Sequence, residues 1–292
     1  MEAKLIDLAE WEYFGTGGSG KSYTKKVGAD LVLKLNDRDI PVETTEKEYI
    51  ASKLFNEAGF PSPVVYDFVT DGERYGYTSQ RIKGKLSFAR MLSQEPENID
   101  SLAARFASMA RELHGRPADM ERMTDAREQL LKAVGDLSFV PGDVADALRK
   151  SFSLISGDKV CLHGDMNPGN VISYEGKDFW IGVNEFSYGD SFLDIATMHI
   201  LCYFLPAKLT ESLYHMSQSC LKQFFRAFKK AYFGAGWDSK EIEAHIAAAA
   251  TVKFCAAASV NPDYMAILIP LVRGQKLKTL IIKQRVARRC RK

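Results

Sequence analysis

The sequence predicts an α+β fold: a small antiparallel β-rich lobe that holds one helix, followed by a larger, mainly α-helical lobe. Two observations carry this prediction. The first 80 or so residues contain short alternating strand patterns and a single helical pattern, whereas apolar residues recur at helical spacing from residue 83 onward. A chain of 292 residues also suits two lobes, because single cores rarely grow past about 250 residues. We therefore predict an N-terminal β-rich lobe over residues 1–82 and a C-terminal helical lobe over residues 83–292.

The composition is that of an ordinary water-soluble protein, with 46% hydrophobic and 26% charged residues. The net charge of +2 indicates no particular partner, and no apolar run approaches the roughly 20 residues of a membrane helix. Five widely spaced cysteines, an odd number without a C-x-x-C pair, argue against a disulfide framework or a zinc site. The acidic, mixed N-terminal stretch does not read as a secretory signal, so we expect a cytoplasmic protein without membrane contact.

Strand and turn signals alternate through the predicted N-terminal lobe. Strands are expected at "WEYFG" and "KSYTKKV", at "ADLVLKLN", and at "VVYDFVT" and "RYGYTSQRI" around the turn Asp71-Gly72. One helix is expected in "VETTEKEYIASKLFNEAGF", capped by Thr44 or Thr45 and ended by Gly59. Its predicted apolar face consists of Tyr49, Ile50, Leu54 and Phe55.

The C-terminal lobe shows helical periodicity around a short strand-rich interruption. A helix is expected in "NIDSLAARFASMARELHG", and two or three strands, "FWIGV" among them, in "KVCLHGDMNPGNVISYEGKDFWIGVNEF". Further helices are expected in "SFLDIATMHILCYF", "LTESLYHMSQSCLKQFFRAFKKAYF", "SKEIEAHIAAAATVKFCAAASV" and a basic final segment. The apolar residues of "LKQFFRAFKKAYF" fall at helical spacing, which favours core packing over a binding surface.

The stretch "GTGGSGKS", residues 15–22, fits the Walker A pattern for phosphate binding. A Walker A loop must open a helix, yet only five residues separate Ser22 from a turn at Gly28. The alternative is a glycine-rich hairpin folded over phosphates, with the phosphate-binding lysine, Lys34, on a later strand. The first interpretation predicts a helix from Gly20 and the second a strand. A turn that binds nothing is a third possibility.

The stretch "HGDMNPGN", residues 163–170, is the most specific motif of the chain. Asp165 and Asn170 reproduce the spacing of kinase catalytic loops, in which the aspartate accepts the substrate hydroxyl proton and the asparagine holds Mg²⁺. Pro168-Gly169 provides the tight turn that brings both side chains to one side. A surface Asp-Asn loop after a strand is the alternative without a function.

Together these motifs resemble the aminoglycoside phosphotransferase and choline kinase group of protein-kinase-like enzymes. The resemblance spans nearly the whole chain and rests on the glycine loop, Lys34, "KEYIASKLFNEAGFPSP", "RELHG", "HGDMNPGN" and "FSYGDSFLDIA". The glycine between His163 and Asp165 is the form found in small-molecule kinases. The resemblance implies a protein-kinase-like two-lobe fold and an ATP-dependent phosphotransferase that uses ATP, or another NTP, and Mg²⁺.

The resemblance also implies roles for individual residues of the N-terminal lobe. The glycine loop, including Gly15, Gly17, Gly18 and Ser19, would cover the phosphates. Lys34 would contact the α- and β-phosphates, and Glu48, eleven residues before Gly59, would pair with it, with Glu46 as the fallback. Backbone groups of a hinge from Gln80 to Ile82 would bind adenine.

In the C-terminal lobe, the resemblance assigns Asp165 as the base and Asn170 as a metal ligand. His163 is expected to orient the loop, and His114 to pack near it. Asp190 and Asp194 match the family's "GD…D" segment and are expected to make capping and buried hydrogen bonds.

The match fails at one position. The family places a second metal-binding aspartate seven residues before the glycine of "YGD", where this chain has Gly182. Asn184 or Glu185 could supply the missing ligand, the protein could be a nucleotide-binding pseudokinase, or the pocket could serve a different chemistry such as nucleotidyl transfer. If a single ligand is missing, replacing Gly182 with Asp should increase Mg²⁺-dependent ATP turnover.

The leading prediction is therefore a kinase that phosphorylates a hydroxyl of a small molecule or peptide, and a pseudokinase is the alternative. Nine of the twenty residues from Arg273 to Lys292 are Lys or Arg and none is acidic. This segment is either a solvated basic tail or an attraction site for an anionic partner, and it disfavours a polycationic aminoglycoside as acceptor. We expect no nucleic-acid partner.

Overall fold

The computed structural model describes residues 1–16, 20–214 and 216–275, and only the backbone of Leu213. Its strands, in chain order, are Lys4–Leu5 (β1), Trp11–Thr16 (β2), Gly20–Lys25 (β3), Leu31–Asn36 (β4), Val65–Thr70 (β5), Tyr75–Gln80 (β6), Leu86–Ser87 (β7), Val160–Leu162 (β8), Val171–Tyr174 (β9), Lys177–Trp180 (β10) and Ser187–Gly189 (β11). Its α-helices are Val42–Glu57 (α1), Phe88–Gln94 (α2), Ile99–His114 (α3), Ala126–Val134 (α4), Gly142–Leu154 (α5), Phe192–His199 (α6), Ala207–Tyr214 (α7), Gln218–Phe233 (α8), Lys240–Val260 (α9) and Met265–Val272 (α10). The predicted α+β fold is confirmed.

The described residues form two compact units. The first contains Met1–Ser87 together with Asn170–Phe186, and the second contains Phe88–Gly169 and the chain from Ser187 onward. Asn170, the last residue of the stretch 163–170 (the catalytic-loop motif), therefore belongs to the same unit as the N-terminal strands, together with the segment that follows it. The lobe boundary predicted at residue 82 stays a prediction.

The first unit is built on a sheet with the strand order β1-β5-β6-β4-β3-β2. All neighbouring pairs are antiparallel except β1 and β5, which run parallel. Alternation along β4 buries Leu33 and Leu35, which pack with Trp11 and Val69. Lys34 and Asn36 consequently share the opposite face of the strand. A second sheet, β10-β9-β7, completes this unit.

Helix α1 differs from its prediction at two points. It begins after Pro41 without a side-chain cap, and Thr45 is buried rather than capping. Ile50 is 43% exposed, so it does not belong to the buried face. The reason is that Thr45 and Ser52, not Ile50, occupy buried positions beside Leu54 and Phe55.

The second unit is mainly helical. Aromatic rings of α3 and α8 interlock, with Phe106 in edge contact with Phe224 and Phe228. This confirms that the aromatic positions of α8 are core. Helix α9 is buried along most of its length and packs against α5 and α6. Strands β8 and β11 pair antiparallel at the start of the catalytic-loop motif.

Two C-terminal predictions were wrong in their boundaries. The helix expected from residue 209 to 233 is divided, because Ser217 caps the start of α8 through the N–H of Cys220. The expected strand "FWIGV" ends at Trp180, where the chain turns through a positive φ of 69° at Gly182. The predicted basic helix lies outside the described residues beyond Gln275. Within the part of the chain that the structure describes, no helix combines the length and the apolar character needed to cross a membrane.

Candidate active site

The glycine-rich stretch lies in a β-hairpin. β2 pairs with β3 in a register that places Thr16 opposite Lys21 and Gly15 opposite Ser22. Since Gly20–Lys25 is a strand where a Walker A loop requires a helix, the P-loop interpretation is wrong and the hairpin is confirmed. The tip residues Gly17, Gly18 and Ser19 lie outside the described residues, and phosphate binding by this hairpin stays a prediction.

Lys34 and Glu48 form the predicted ion pair. The Lys34 ammonium on β4 donates a hydrogen bond of 2.8 Å to the Glu48 carboxylate on α1. Burial acts to lower the pKa of Lys34, but its interactions with Tyr77 and Glu48 outweigh this effect and raise the pKa overall. The charge of Glu185 acts in the same direction. The ammonium is therefore fully protonated near neutral pH and available to an anion. The fallback residue Glu46 instead pairs with the N-terminal amine.

The structure adds Asn36 and Thr45 to this pair. The Asn36 amide donates to the Thr45 hydroxyl at 3.0 Å and to the Glu48 carboxylate at 3.2 Å, and Asn36 and Thr45 are each about 1% exposed. Asn36 therefore fixes the carboxylate that faces Lys34. The sequence carried a signal for this, because residues two apart on a strand share a face, but Asn36 was not among the predicted site residues.

Two glycines let neighbouring strands approach the backbone of β4 beside this pair. A Cβ atom at Gly20 on β3 would lie 2.2 Å from the Leu35 carbonyl oxygen, and one at Gly76 on β6 would lie 1.8 Å from that of Lys34. Both distances are far inside van der Waals contact. Any larger residue at either position would displace the strand that carries Lys34.

Two backbone N–H groups of the predicted hinge already make hydrogen bonds within the first unit. The N–H of Gln80 donates to the Val64 carbonyl at 2.8 Å, and the N–H of Arg81 donates to the Asp30 carbonyl at 2.9 Å. Ile82 follows as a half-buried residue. Adenine binding at residues 80–82 stays a prediction, and the two occupied N–H groups do not serve it in this conformation.

Asn170 and Gly182 lie against each other in the first unit. The Ile181 N–H donates to the Asn170 carbonyl at 2.9 Å, and a Cβ atom at Gly182 would lie 2.9 Å from Asn170 Oδ1. The amide of Asn170 thus fills the space that a side chain at position 182 would need. Asn184 is half-buried and Glu185 is exposed. The negative charge of Glu185 acts to raise the pKa of Lys34.

Oxygen donors near Gly182 fit a magnesium ion held mainly by a nucleotide. Within residues 1–16, 20–214 and 216–275, no group of three His, Cys, Asp or Glu residues is arranged to hold a metal by itself. Mg²⁺ usually takes one or two protein oxygens together with phosphate oxygens and water. The Asn170 amide and the Glu185 carboxylate are donors of this chemistry, so the residues present fit a phosphate-bound Mg²⁺.

The part of the catalytic-loop motif that lies in the second unit, residues 163–169, is held by its own side chains. The buried His163 accepts a hydrogen bond from the Asp165 N–H at its Nδ1, over 3.2 Å. The amide of Asn167 donates to the Asp165 carbonyl at 3.0 Å and to its carboxylate at 3.2 Å, and accepts from the Gly169 N–H at 2.9 Å. His163 therefore holds the Asp165 N–H, and its role in orienting a catalytic loop stays a prediction. Asn167, 1% exposed, was missed, although its place inside the motif was a usable signal.

Asp194 and Asp190 make the buried hydrogen bonds expected of them. Asp194 accepts from the N–H groups of His163 at 2.7 Å and Gly164 at 2.8 Å, which fixes the start of the loop. Asp190 accepts from the N–H of Phe192 at the start of α6. His114 lies 3.2 Å from the Asp194 carboxylate, which confirms its structural position beside the loop.

A tyrosine at the end of α7 lies against the same loop. A Cβ atom at Gly169 would lie 2.9 Å from Asn167 Oδ1 and 3.1 Å from a ring carbon of Tyr214, so a larger residue would force one of these side chains to shift. Burial, with a contribution from the charge of Asp165, raises the pKa of the Tyr214 phenol. Its hydroxyl therefore stays protonated at neutral pH.

Comparison with known proteins agrees with this architecture. Solved structures of the same fold include a thermostable mutant of aminoglycoside phosphotransferase APH(4)-Ia in a ternary complex with ADP and hygromycin B, 13% identical, covering 91% of this chain and 94% of that one, with a TM-score of 0.63. They also include the amicoumacin kinase hAmiN with AMP-PNP, Ca²⁺ and Ami (15% identical, 96% and 91% covered, TM-score 0.56). A choline/ethanolamine kinase family protein from Mesorhizobium loti is 15% identical, with 95% and 86% covered and a TM-score of 0.54.

At these low identities the structural neighbours establish the fold. No curated protein sequence matches the chain. A sequence model of the phosphotransferase enzyme family matches residues 11–238. That match covers more than three quarters of the chain and includes Lys34, Glu48, Asp165 and Asn170. The chain belongs to the phosphotransferase enzyme family, as its motifs predicted.

Proposed function

We propose that this chain transfers the γ-phosphoryl group of ATP to a hydroxyl group of a small molecule, with Asp165 as the base. The observation that carries the proposal is the Asp165 loop, in which His163 and Asn167 hold the backbone and carboxylate of that one residue. Family membership supplies the reaction class. A pseudokinase is not favoured by the family or by neighbours that bind ADP or AMP-PNP.

The proposed chemistry divides between the residues as follows. The Asp165 carboxylate accepts the proton of the acceptor hydroxyl while the new O–P bond forms and the bond between the γ-phosphorus and the bridging oxygen breaks. The Lys34 ammonium, oriented by Glu48, offsets the charge of the phosphates. Asn170 and Glu185 would hold Mg²⁺, which neutralises phosphate charge when bound. Gly15, Gly17, Gly18 and Ser19 would cover the phosphates.

Asp165→Asn tests the base. We expect phosphoryl transfer to fall by about 10³-fold, within the range for a general base, while nucleotide affinity is retained. Asp158→Asn, at an exposed position shortly before the loop, is the matched control and should retain wild-type activity. Transfer by Asp165→Asn at the wild-type rate would contradict the assignment. Nucleotide binding without transfer in the wild-type protein would favour a pseudokinase.

The acceptor is proposed to be a neutral or anionic hydroxyl compound rather than a polycationic aminoglycoside. The support is the charge of the basic segment from Arg273 onward, which favours an anionic molecule or acidic peptide over a cationic ligand. One structural neighbour nevertheless binds hygromycin B. To test this, phosphorylation of aminoglycosides, neutral alcohols and anionic hydroxyl compounds by the protein with ATP is measured by ³¹P NMR. Efficient phosphorylation of aminoglycosides alone would contradict it.

A further inference from the structure

We propose that Lys253, on α9, is a positioning residue that sets the orientation of the peptide immediately before the catalytic base. The inference rests on the proposed function insofar as Asp165 is taken as that base. Lys253 is 88 residues beyond Asp165 and lies outside the stretch matched by the family. The sequence motif therefore gave no sign of it.

The contact is direct and charged. The Lys253 ammonium donates to the Gly164 carbonyl at 2.6 Å and to the Thr197 hydroxyl on α6 at 2.8 Å. The ammonium is partly buried, which strengthens a charge-assisted hydrogen bond relative to one in water. Thr197 fixes the direction from which the ammonium approaches the carbonyl.

The Gly164 carbonyl and the Asp165 N–H belong to one planar peptide group. Lys253 holds the carbonyl end, and His163 Nδ1 holds the N–H end at 3.2 Å. Asp194 holds the preceding peptide through the Gly164 N–H. Two successive peptides thus have fixed partners, and the second leads straight into the Asp165 side chain.

This peptide needs an external restraint because of the residue before it. Gly164 has a φ of +88°, and glycine tolerates positive and negative φ about equally. Without Lys253 the peptide could rotate about Gly164 and carry the Asp165 carboxylate away from the acceptor hydroxyl. Lys253 thus restricts the backbone rotation that Gly164 allows.

Lys253→Met removes the ammonium while keeping an unbranched side chain of similar length. We expect kcat to fall at least tenfold, with less than a threefold change in the KM for ATP, because the nucleotide contacts at Lys34 remain. Lys253→Arg should recover most of the loss, since a guanidinium can still donate to the carbonyl. Lys240→Met, at the exposed start of the same helix, should match the wild type.

Hydrogen exchange followed by mass spectrometry provides a readout independent of turnover. The amides of Gly164 and Asp165 should exchange faster in Lys253→Met and at the wild-type rate in Lys240→Met. Unchanged exchange and unchanged kcat in Lys253→Met would overturn the inference. If Lys253→Met does not fold, Thr197→Val removes only the second partner of the ammonium, and wild-type kcat and exchange there would also overturn it. A wild-type protein without any phosphoryl transfer would defeat the proposed function alone, because the exchange measurement still tests Lys253.

Discussion

Gly182 stands where the family has a metal-binding aspartate, and the Asn170 amide lies directly beside it. If only a ligand were missing, an aspartate at this position would restore it. The structure argues against that simple picture, because φ is +69° and the Asn170 amide occupies the space of the missing side chain. The backbone at position 182 therefore suits glycine, and Glu185, whose charge acts on Lys34, is the carboxylate that we propose in place of the missing ligand.

The expectation for Gly182→Asp is accordingly reversed. We predict that Gly182→Asp lowers Mg²⁺-dependent turnover, because its Cβ atom displaces the Asn170 amide and the backbone is strained by about 1 kcal/mol or more. Gly182→Ala is the control, since it introduces the same Cβ atom without a carboxylate and should lose activity similarly. Turnover above the wild-type rate in Gly182→Asp alone would show that the missing ligand outweighs the steric cost.

Glu185 is the carboxylate that we propose as a ligand of Mg²⁺. We predict that Glu185→Gln raises the Mg²⁺ concentration needed for half-maximal turnover by about tenfold, because a carboxylate is replaced by a neutral amide. Mg²⁺ titrations at saturating ATP provide the measurement, and Glu175→Gln, on the turn between β9 and β10, serves as the control. An unchanged requirement would remove Glu185 from the metal site.

His199 is a partly buried histidine that the candidate site does not use. Burial lowers its pKa to about 4, and its Nδ1 finds no hydrogen-bond partner among the residues that the structure describes. The folded state therefore favours the neutral ring, whereas the unfolded chain takes up a proton near pH 6.5. The resulting loss of stability begins as the pH falls below about 6.5 and is complete below about 4.

This shift gives a signed pH dependence. Between pH 7.5 and 5.0, we predict that His199 removes about 2 kcal/mol from the free energy of unfolding. His199→Gln should be less stable at pH 7.5 and lose about 2 kcal/mol less than the wild type over the same interval. Urea denaturation at the two pH values measures the difference, and an identical pH dependence for both proteins would rule out a buried neutral ring.

Strand β4 and helix α1 together hold the ion pair of Lys34 and Glu48. Lys34 and Asn36 point from one face of β4 to the same glutamate of α1. The sequence could predict the lysine–glutamate pair, because spacing within a known motif located both residues. Predicting the contact of Asn36 with Glu48 needs the register between β4 and α1. That register was not evident because the apolar face of α1 was predicted wrongly: Thr45 faces the core, whereas Ile50 is exposed.

Asn36→Leu tests this coupling. We predict that it raises the Kd for an ATP analogue about fivefold, about 1 kcal/mol, because Glu48 loses a charge-assisted hydrogen bond. The same substitution in a Glu48→Gln background should add little, since residues of one network are not additive. Asn98→Leu, which removes an exposed amide contact with Glu95, is the control and should bind normally. Full additivity would show that Asn36 acts on binding by another route.

The two compact units are discontinuous in sequence. The first gathers the N-terminal 87 residues and the segment 170–186, so Asn170 joins the unit of Lys34 while Asp165, five residues earlier, belongs to the other. The peptide chain therefore passes from one unit to the other inside its most specific motif. Sequence periodicity predicted the strand-rich and helical parts, but such an exchange depends on tertiary pairing that no local pattern encodes.

Nucleotide binding should be visible in the stability of the whole chain. At about 100 times its Kd, a nucleotide analogue adds about 2.7 kcal/mol to the native state. We predict a rise in Tm of several degrees in the wild type and in Asp165→Asn, and little rise in Lys34→Ala. Differential scanning fluorimetry measures it. A lost shift in Asp165→Asn would mean that Asp165 also holds the nucleotide.

The match to the family ends at residue 238, and α9 begins at Lys240. That helix is far more than an appendage, since Ile246, Ala249, Val252 and Phe254 are all buried in the second unit. A fragment that ends at residue 238 would expose the apolar surface that α9 covers. It would also leave the Gly164 carbonyl without the hydrogen bond from the Lys253 ammonium. We expect such a fragment to precipitate, so the stretch matched by the family model and the smallest part of the chain that folds alone have different ends.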